Sequence, residues 1–211
     1  MKNPIDTPRG RQFDFVSYLA VRSAIISLGP EAIYLHYTYL SDPPSSDVDA
    51  DPLSNPWVRR LQNHIKLAHH EPRTMGPKSF AHASDILRLE LLRDTGGIYL
   101  DMDSFALRPF DQLLQSPYSR GRDVVLGHEG GNRWGLCNAV MVARPNSTFV
   151  ERWLSTYYGT EATIKEESNT NTESTVLTLD NEWNYHSVTW PKEAQQKHPD
   201  EVCVLPPDAF F

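Results

Sequence analysis

Cysteine is scarce: Cys137 and Cys203 are the only two in 211 residues, too few and too far apart for a disulfide scaffold or a cysteine-rich zinc site. Basic runs are missing too. Twenty Lys and Arg stand against 27 Asp and Glu, a formal charge of −7, so the broad positive footprint of a nucleic-acid or anionic-membrane binder is absent. The most apolar early stretch, Tyr18 to Leu28, is short and interrupted by Arg22, which argues against a membrane span. The polar, proline-containing stretch from Met1 to Gly10 does not read as a signal peptide. The eight histidines include His69-His70 but show no i,i+4 metal spacing with a glutamate, so they read as structural or surface groups. What is present is a core: 39% of residues are apolar and 10% aromatic, far from the composition of a disordered chain. The length suits one globular domain, residues 1–211.

Hydrophobic spacing predicts a helix over Phe15 to Leu28, stopped by Gly29-Pro30, and then a strand over Ala32 to Tyr37. Residues 41–56 collect prolines, serines and aspartates and read as a flexible acidic loop. A short helix (Trp57 to Leu61) and a strand (Ile65 to His69) follow. Next comes a helix over Ala81 to Asp94, capped by Ser84 or Ser79 and ended by Gly96-Gly97. Strands are expected at Ile98 to Leu100, Val124 to Gly127 and Ala139 to Ala143, and a helix at Thr148 to Tyr158. Residues 159–180, rich in Thr, Ser, Asn and Glu, read as a second flexible segment. Alternating helices and strands predict an α/β fold.

Two acids stand at the end of a predicted strand, Asp101 and Asp103. On an extended strand alternate side chains project the same way, so the two carboxylates would share one side and grip one hard divalent cation such as Mg²⁺ or Mn²⁺. On the preceding helix Asp85 and Arg88 are three residues apart and share a face, while Glu90 and Asp94 fall elsewhere. In isolation the first pair is a solvated turn and the second an ordinary ion pair. The Gly-Gly turn joins them, so that an acid, an arginine and a metal pair would converge.

The segments Ser84-Asp85-Ile86-Leu87-Arg88 and Gly96-Gly97-Ile98-Tyr99-Leu100-Asp101-Met102-Asp103 resemble the signature of the sugar-binding, DXD-containing glycosyltransferases of family 32. That family includes fungal Golgi mannosyltransferases and animal α1,4-N-acetylglucosaminyl- and galactosyltransferases. Weaker similarity extends to residues 15–24, 135–139, 143–147 and 182–187. The resemblance implies a GT-A-like, Rossmann-type fold, a UDP- or GDP-linked sugar donor, Mn²⁺ or Mg²⁺, a glycan or glycolipid acceptor, transfer with retention, and a Golgi lumenal location. It implies that Asp103 ligates the metal and that Asp101 serves the metal and the donor ribose. Asp85 and Arg88 would hold the transferred sugar, Arg88 also lying near the diphosphate, and Tyr99 and Asn138 would line the donor site. On the acceptor side Asn138, Glu182, Asn184 and His186, beside the rings of Trp183 and Tyr185, are candidates for a sugar-binding wall. Asn146-Ser147-Thr148 is an N-glycosylation sequon.

Family members usually open with an apolar strand before the first helix and continue past Phe210-Phe211, so the chain reads as truncated at both ends. Two rivals follow. One is an inactive protein that binds a sugar nucleotide or a partner without turnover. The other is a phosphatase of the haloacid-dehalogenase type, with Asp101 as nucleophile.

Overall fold

The computed structural model describes residues 13–38, 51–71, 80–129, 135–158 and 185–210. The chain divides into two compact units, Met1–Phe80 with Leu100–Leu114, and Ala81–Tyr99 with Gln115–Phe211.

The first unit starts with α1 (Phe15–Leu28), the span expected from its spacing. The Asp14 carboxylate caps it by accepting the Ser17 N–H at 2.9 Å, and Gly29 ends it in the left-handed conformation at φ 53°. Tyr18, Val21 and Ile25, on one helical stripe, pack against Phe13, Leu35, Val58, Leu61 and Ile65. Strands β1 (Tyr34–Tyr37) and β2 (Lys66–His69) pair in parallel, Leu35 opposite Leu67. Between them, residues 51–56 of the expected acidic loop form a 3₁₀ turn (Pro52–Ser54) leading into α2 (Pro56–Leu61). Buried Asn55 organises this entry. Its side-chain oxygen accepts the N–H groups of Trp57 and Val58, and its amide donates to the Phe13 carbonyl at 3.0 Å. Two histidines pair here: the His36 and His70 rings share a hydrogen bond at 2.8 Å, and burial with the neighbouring His70 pushes His36 below the usual imidazole range.

The second unit holds α3 (Phe80–Thr95) and a four-stranded sheet in the order β3-β5-β4-β6: β3 (Gly97–Leu100), β4 (Val124–His128), β5 (Leu136–Ala143) and β6 (Val202–Leu205). β4 runs antiparallel to β5 with an irregularity between Leu126 and Gly127, and parallel to β6. The short helix α4 (Asp111–Gln115) precedes β4 in the chain. Ser84 is not the cap of α3. The helix begins at Phe80, so Ser84 lies in its second turn, where its hydroxyl meets Arg88; Ser79 lies outside the described residues. At the other end Gly96 has φ 63°, and a Cβ there would stand 2.6 Å from Pro145. Only glycine fits both the angle and the space. The Asn146 N–H also bonds the Arg93 carbonyl at 2.7 Å, tying the end of α3 to the connection after β5.

Helix α5 (Thr148–Tyr158) buries Phe149, Val150, Trp153, Leu154 and Tyr157, a stripe at helical spacing. Each fully buried side chain of this size is worth about 1.5–3 kcal/mol. A π-helical turn (Tyr185–Thr189) and α6 (Trp190–Lys197) complete the unit. These elements and β6 were not expected, nor was α4. The turn is anchored by the Trp153 indole N–H, which donates to the His186 carbonyl at 2.6 Å. Cys137 on β5 and Cys203 on β6 are buried free thiols, and burial raises the pKa of Cys203. Among the described residues no helix is long and apolar enough to cross a membrane.

Candidate active site

The second unit brings together four of the residues expected at the donor site. Asp85 and Arg88 are buried, 5% and 6% exposed, and the helical spacing puts the guanidinium Nη2 3.3 Å from Asp85 Oδ1. From β5, the Asn138 amide donates to the same Oδ1 at 2.8 Å while its backbone carbonyl accepts Arg88 Nη1 at 2.6 Å. Asn138 therefore holds both members of the pair, one with each end of its residue. Arg88 also donates to the Ser84 carbonyl and hydroxyl, and its guanidinium lies over the Tyr99 ring at 4.7 Å.

A fifth residue, Tyr157, was not expected. Its hydroxyl donates to Asp85 Oδ2 at 3.3 Å from the last turns of α5. On spacing alone it belongs to the apolar stripe of that helix; the one signal in its favour is a hydroxylated ring where the core needs only a ring. Burial dominates the electrostatics. It raises the Asp85 pKa above the ordinary carboxylate value, partly offset by Arg88, Asn138, Tyr157 and His82, and it raises Tyr157 well above a free phenol, an effect the Asp85 charge reinforces.

His186 joins this group through Tyr157, the two rings lying 5.1 Å apart, with His82 at 6.0 Å from Tyr157 and 6.5 Å from His186. The Thr156 hydroxyl gives its proton to the Trp153 carbonyl, so in the 3.1 Å contact with Thr156 the His186 Nδ1 is the donor. Burial and His82 together lower the His186 pKa. Glu182, Trp183 and Asn184 lie outside the described residues.

Asp101 and Asp103 sit in the first unit, and their local structure corrects the expectation of an extended pair. Strand β3 ends at Leu100, and a turn follows, closed by the Ser104 N–H on the Asp101 carbonyl at 3.0 Å. The strand rule of alternating faces does not apply there. Met102 between them packs on the core of the first unit; Asp101 is half-buried and Asp103 exposed. Two hard carboxylates in one turn still fit a hard divalent cation. Among the described residues no group of three or more His, Cys, Asp or Glu is placed to hold one ion, so the remaining coordination positions would fall to water or ligand oxygens.

Residues 22–119 match the family model described as a glycosyltransferase sugar-binding region containing a DXD motif. The chain is 34% identical over 212 aligned residues to Glucan organizing enzyme 1 of Cryptococcus neoformans var. grubii serotype A; the match covers 96% of this chain and 49% of that protein. It thus spans about half the length of this curated relative. Among solved structures, PaToxG Glycosyltransferase matches with a TM-score of 0.57 and 15% identity, over 90% of this chain and 65% of that one. Together these findings make the chain similar to glycosyltransferases: its α/β fold is GT-A-like, and residues 22–119 match a sugar-binding region containing a DXD motif.

Proposed function

We propose that the protein is a metal-dependent, retaining hexosyltransferase that takes its sugar from a UDP- or GDP-linked donor. The observation that carries this reading is the buried Asp85–Arg88–Asn138 group, which leads along one short stretch of chain into Asp101 and Asp103. An ionised carboxylate accepts roughly four hydrogen bonds. Among the described residues Asn138 and Tyr157 donate to it and Arg88 pairs with it at 3.3 Å, and a remaining acceptor position is the proposed place for a hydroxyl of the transferred sugar. Arg88, fixed by the Asn138 and Ser84 carbonyls, presents a permanent positive charge, and Tyr99 supplies an aromatic surface beside it.

When the glycosidic bond breaks, its electron pair goes to the diphosphate, and Arg88 stabilises the charge where it develops. Asp101 and Asp103 would hold Mn²⁺ or Mg²⁺, which when bound would supply positive charge to a diphosphate leaving group. Asp101 is also the proposed partner of the donor ribose. The acceptor hydroxyl bonds the anomeric carbon and releases its proton. His186 and the segment 182–184 are the proposed acceptor side. A glycan acceptor agrees with the name of the glucan-organizing relative, and the Golgi lumen is the proposed location.

Purified protein with Mn²⁺ and a panel of UDP- and GDP-sugars tests the reading. Metal-dependent donor hydrolysis or transfer, abolished in Asp103→Asn, is the expected result. Metal-dependent donor binding without turnover in the wild type would instead make this a sugar-nucleotide-binding protein. Phosphate release from a phosphomonoester with Mg²⁺, lost in Asp101→Asn, would make it a phosphatase.

A further inference from the structure

Among the described residues, Tyr157 is the one hydrogen-bonding neighbour of Asp85 that comes from neither the Asp85–Arg88 helix nor the Asn138 strand. Asn138 and Arg88 both bind Oδ1. Left with those two contacts, the carboxylate would be free to turn about its Cβ–Cγ bond, because such terminal torsions are broad. The Tyr157 hydroxyl takes the other oxygen, Oδ2, and closes the rotation. The tyrosine is itself rigid. It is 3% exposed, its ring is flanked by His186 and His82, and its helix is pinned to the π-helical turn by the Trp153 indole and the Thr156–His186 contact.

We propose that Tyr157 is a positioning residue for glycosyl transfer, its hydroxyl locking the Asp85 carboxylate against the Asn138 amide in the orientation that receives the donor sugar. This rests on the proposed role of Asp85 in binding that sugar. Tyr157 does not touch the sugar; it acts through Asp85. The acceptor position left on the carboxylate then points in one direction, which is how a buried acid distinguishes one hydroxyl arrangement from another. Asp85 is faced by Arg88 and His82 from its own helix, by neutral Asn138 from β5, and by Tyr157 from α5, with His186 behind the tyrosine ring. Of these, only the Tyr157 hydroxyl is removed by Tyr157→Phe, and the ring packing stays.

The test compares wild type, Tyr157→Phe, Asp85→Asn and the double variant. Tyr157→Phe is expected to melt close to wild type and to lose about threefold to tenfold in kcat/KM, the value of one hydrogen bond. The acid limb of its pH profile should move to higher pH, because one donor to ionised Asp85 is gone. Carboxyl ¹³C NMR of aspartate-labelled protein, with the Asp85 signal assigned by its absence in Asp85→Asn, reads the same upward shift without any donor. In the Asp85→Asn background the tyrosine substitution should cost nothing more. Full transfer by Asp85→Asn would overturn the role of Asp85 and the positioning role with it. Transfer lost in Asp85→Asn, but with Tyr157→Phe matching wild type in rate, pH limb and carboxyl titration, would overturn only the positioning role. Equal losses in both backgrounds would do the same.

Discussion

Asp85 is 5% exposed and held through both oxygens by three neighbours, whereas Asp103 stands exposed in a turn beyond the end of β3. The first acid belongs to a helix, packed between a strand and a second helix; the second belongs to a loop segment anchored through Met102. A buried carboxylate has to be satisfied by the protein before any ligand arrives, or it costs several kcal/mol. An exposed one reaches water and can exchange that water for a cation. The polar network on α3 is therefore part of what holds the second unit together, while the turn acids lie nearer to solvent, Asp101 half-buried and Asp103 exposed.

The comparison is broken most severely by Asp103→Asn. Transfer should fall by at least about 10²-fold with metal present, while the melting temperature stays within a degree or so, as expected for an exposed surface change. Steady-state assays beside calorimetry measure both. Arg88→Met should strike function and fold together. It leaves Asp85 buried without its cation, worth about 3–5 kcal/mol, or roughly 10 °C in Tm. A variant that lost activity but kept its melting temperature would show that the pair is functional without being structural.

A smaller effect contrasts two glycines with similar backbone angles. Gly96→Ala meets both a left-handed φ of 63° and Pro145 at 2.6 Å, while Gly29→Ala meets φ 53° with nothing within 4 Å. Gly29→Ala should cost about 1 kcal/mol and Gly96→Ala at least twice that, as read from urea midpoints. The smallest effect is one of pH. Burial raises the Asp85 pKa in the folded state, so the native protein holds that proton more tightly than the unfolded chain. The contribution of Asp85 to stability is fully present below the ordinary carboxylate range and is lost as pH rises through the raised value. Melting curves across that window should show this decline in wild type and its absence in Asp85→Asn.

Much of the local structure was legible in the residues. The spans of α1 and α5 follow from apolar spacing, with Gly29 marking one end, and the i,i+3 relation of Asp85 and Arg88 became a real contact. The errors came where one local signal met a longer-range one. Ser84 looked like a cap because serine favours that position, yet α3 starts a turn earlier. Asp101 and Asp103 looked like alternating strand residues, yet β3 stops one residue before the first of them. The π-helical turn, α6 and β6 gave little periodic signal, because they are short and are held by contacts from α5 and β4.

The chain alone determined which chemistry was at hand: an acid and an arginine on one helical face, a glycine turn, and two further acids just beyond it. These depend on residue identity and on spacing within a few positions. Only the tertiary structure decided that Asn138, fifty-three residues from Asp85, grips both members of the pair, and that Tyr157 closes the carboxylate from another helix. Such contacts come from how a strand and two helices pack. Hydrogen-bond partners from distant segments leave no periodic trace in the sequence.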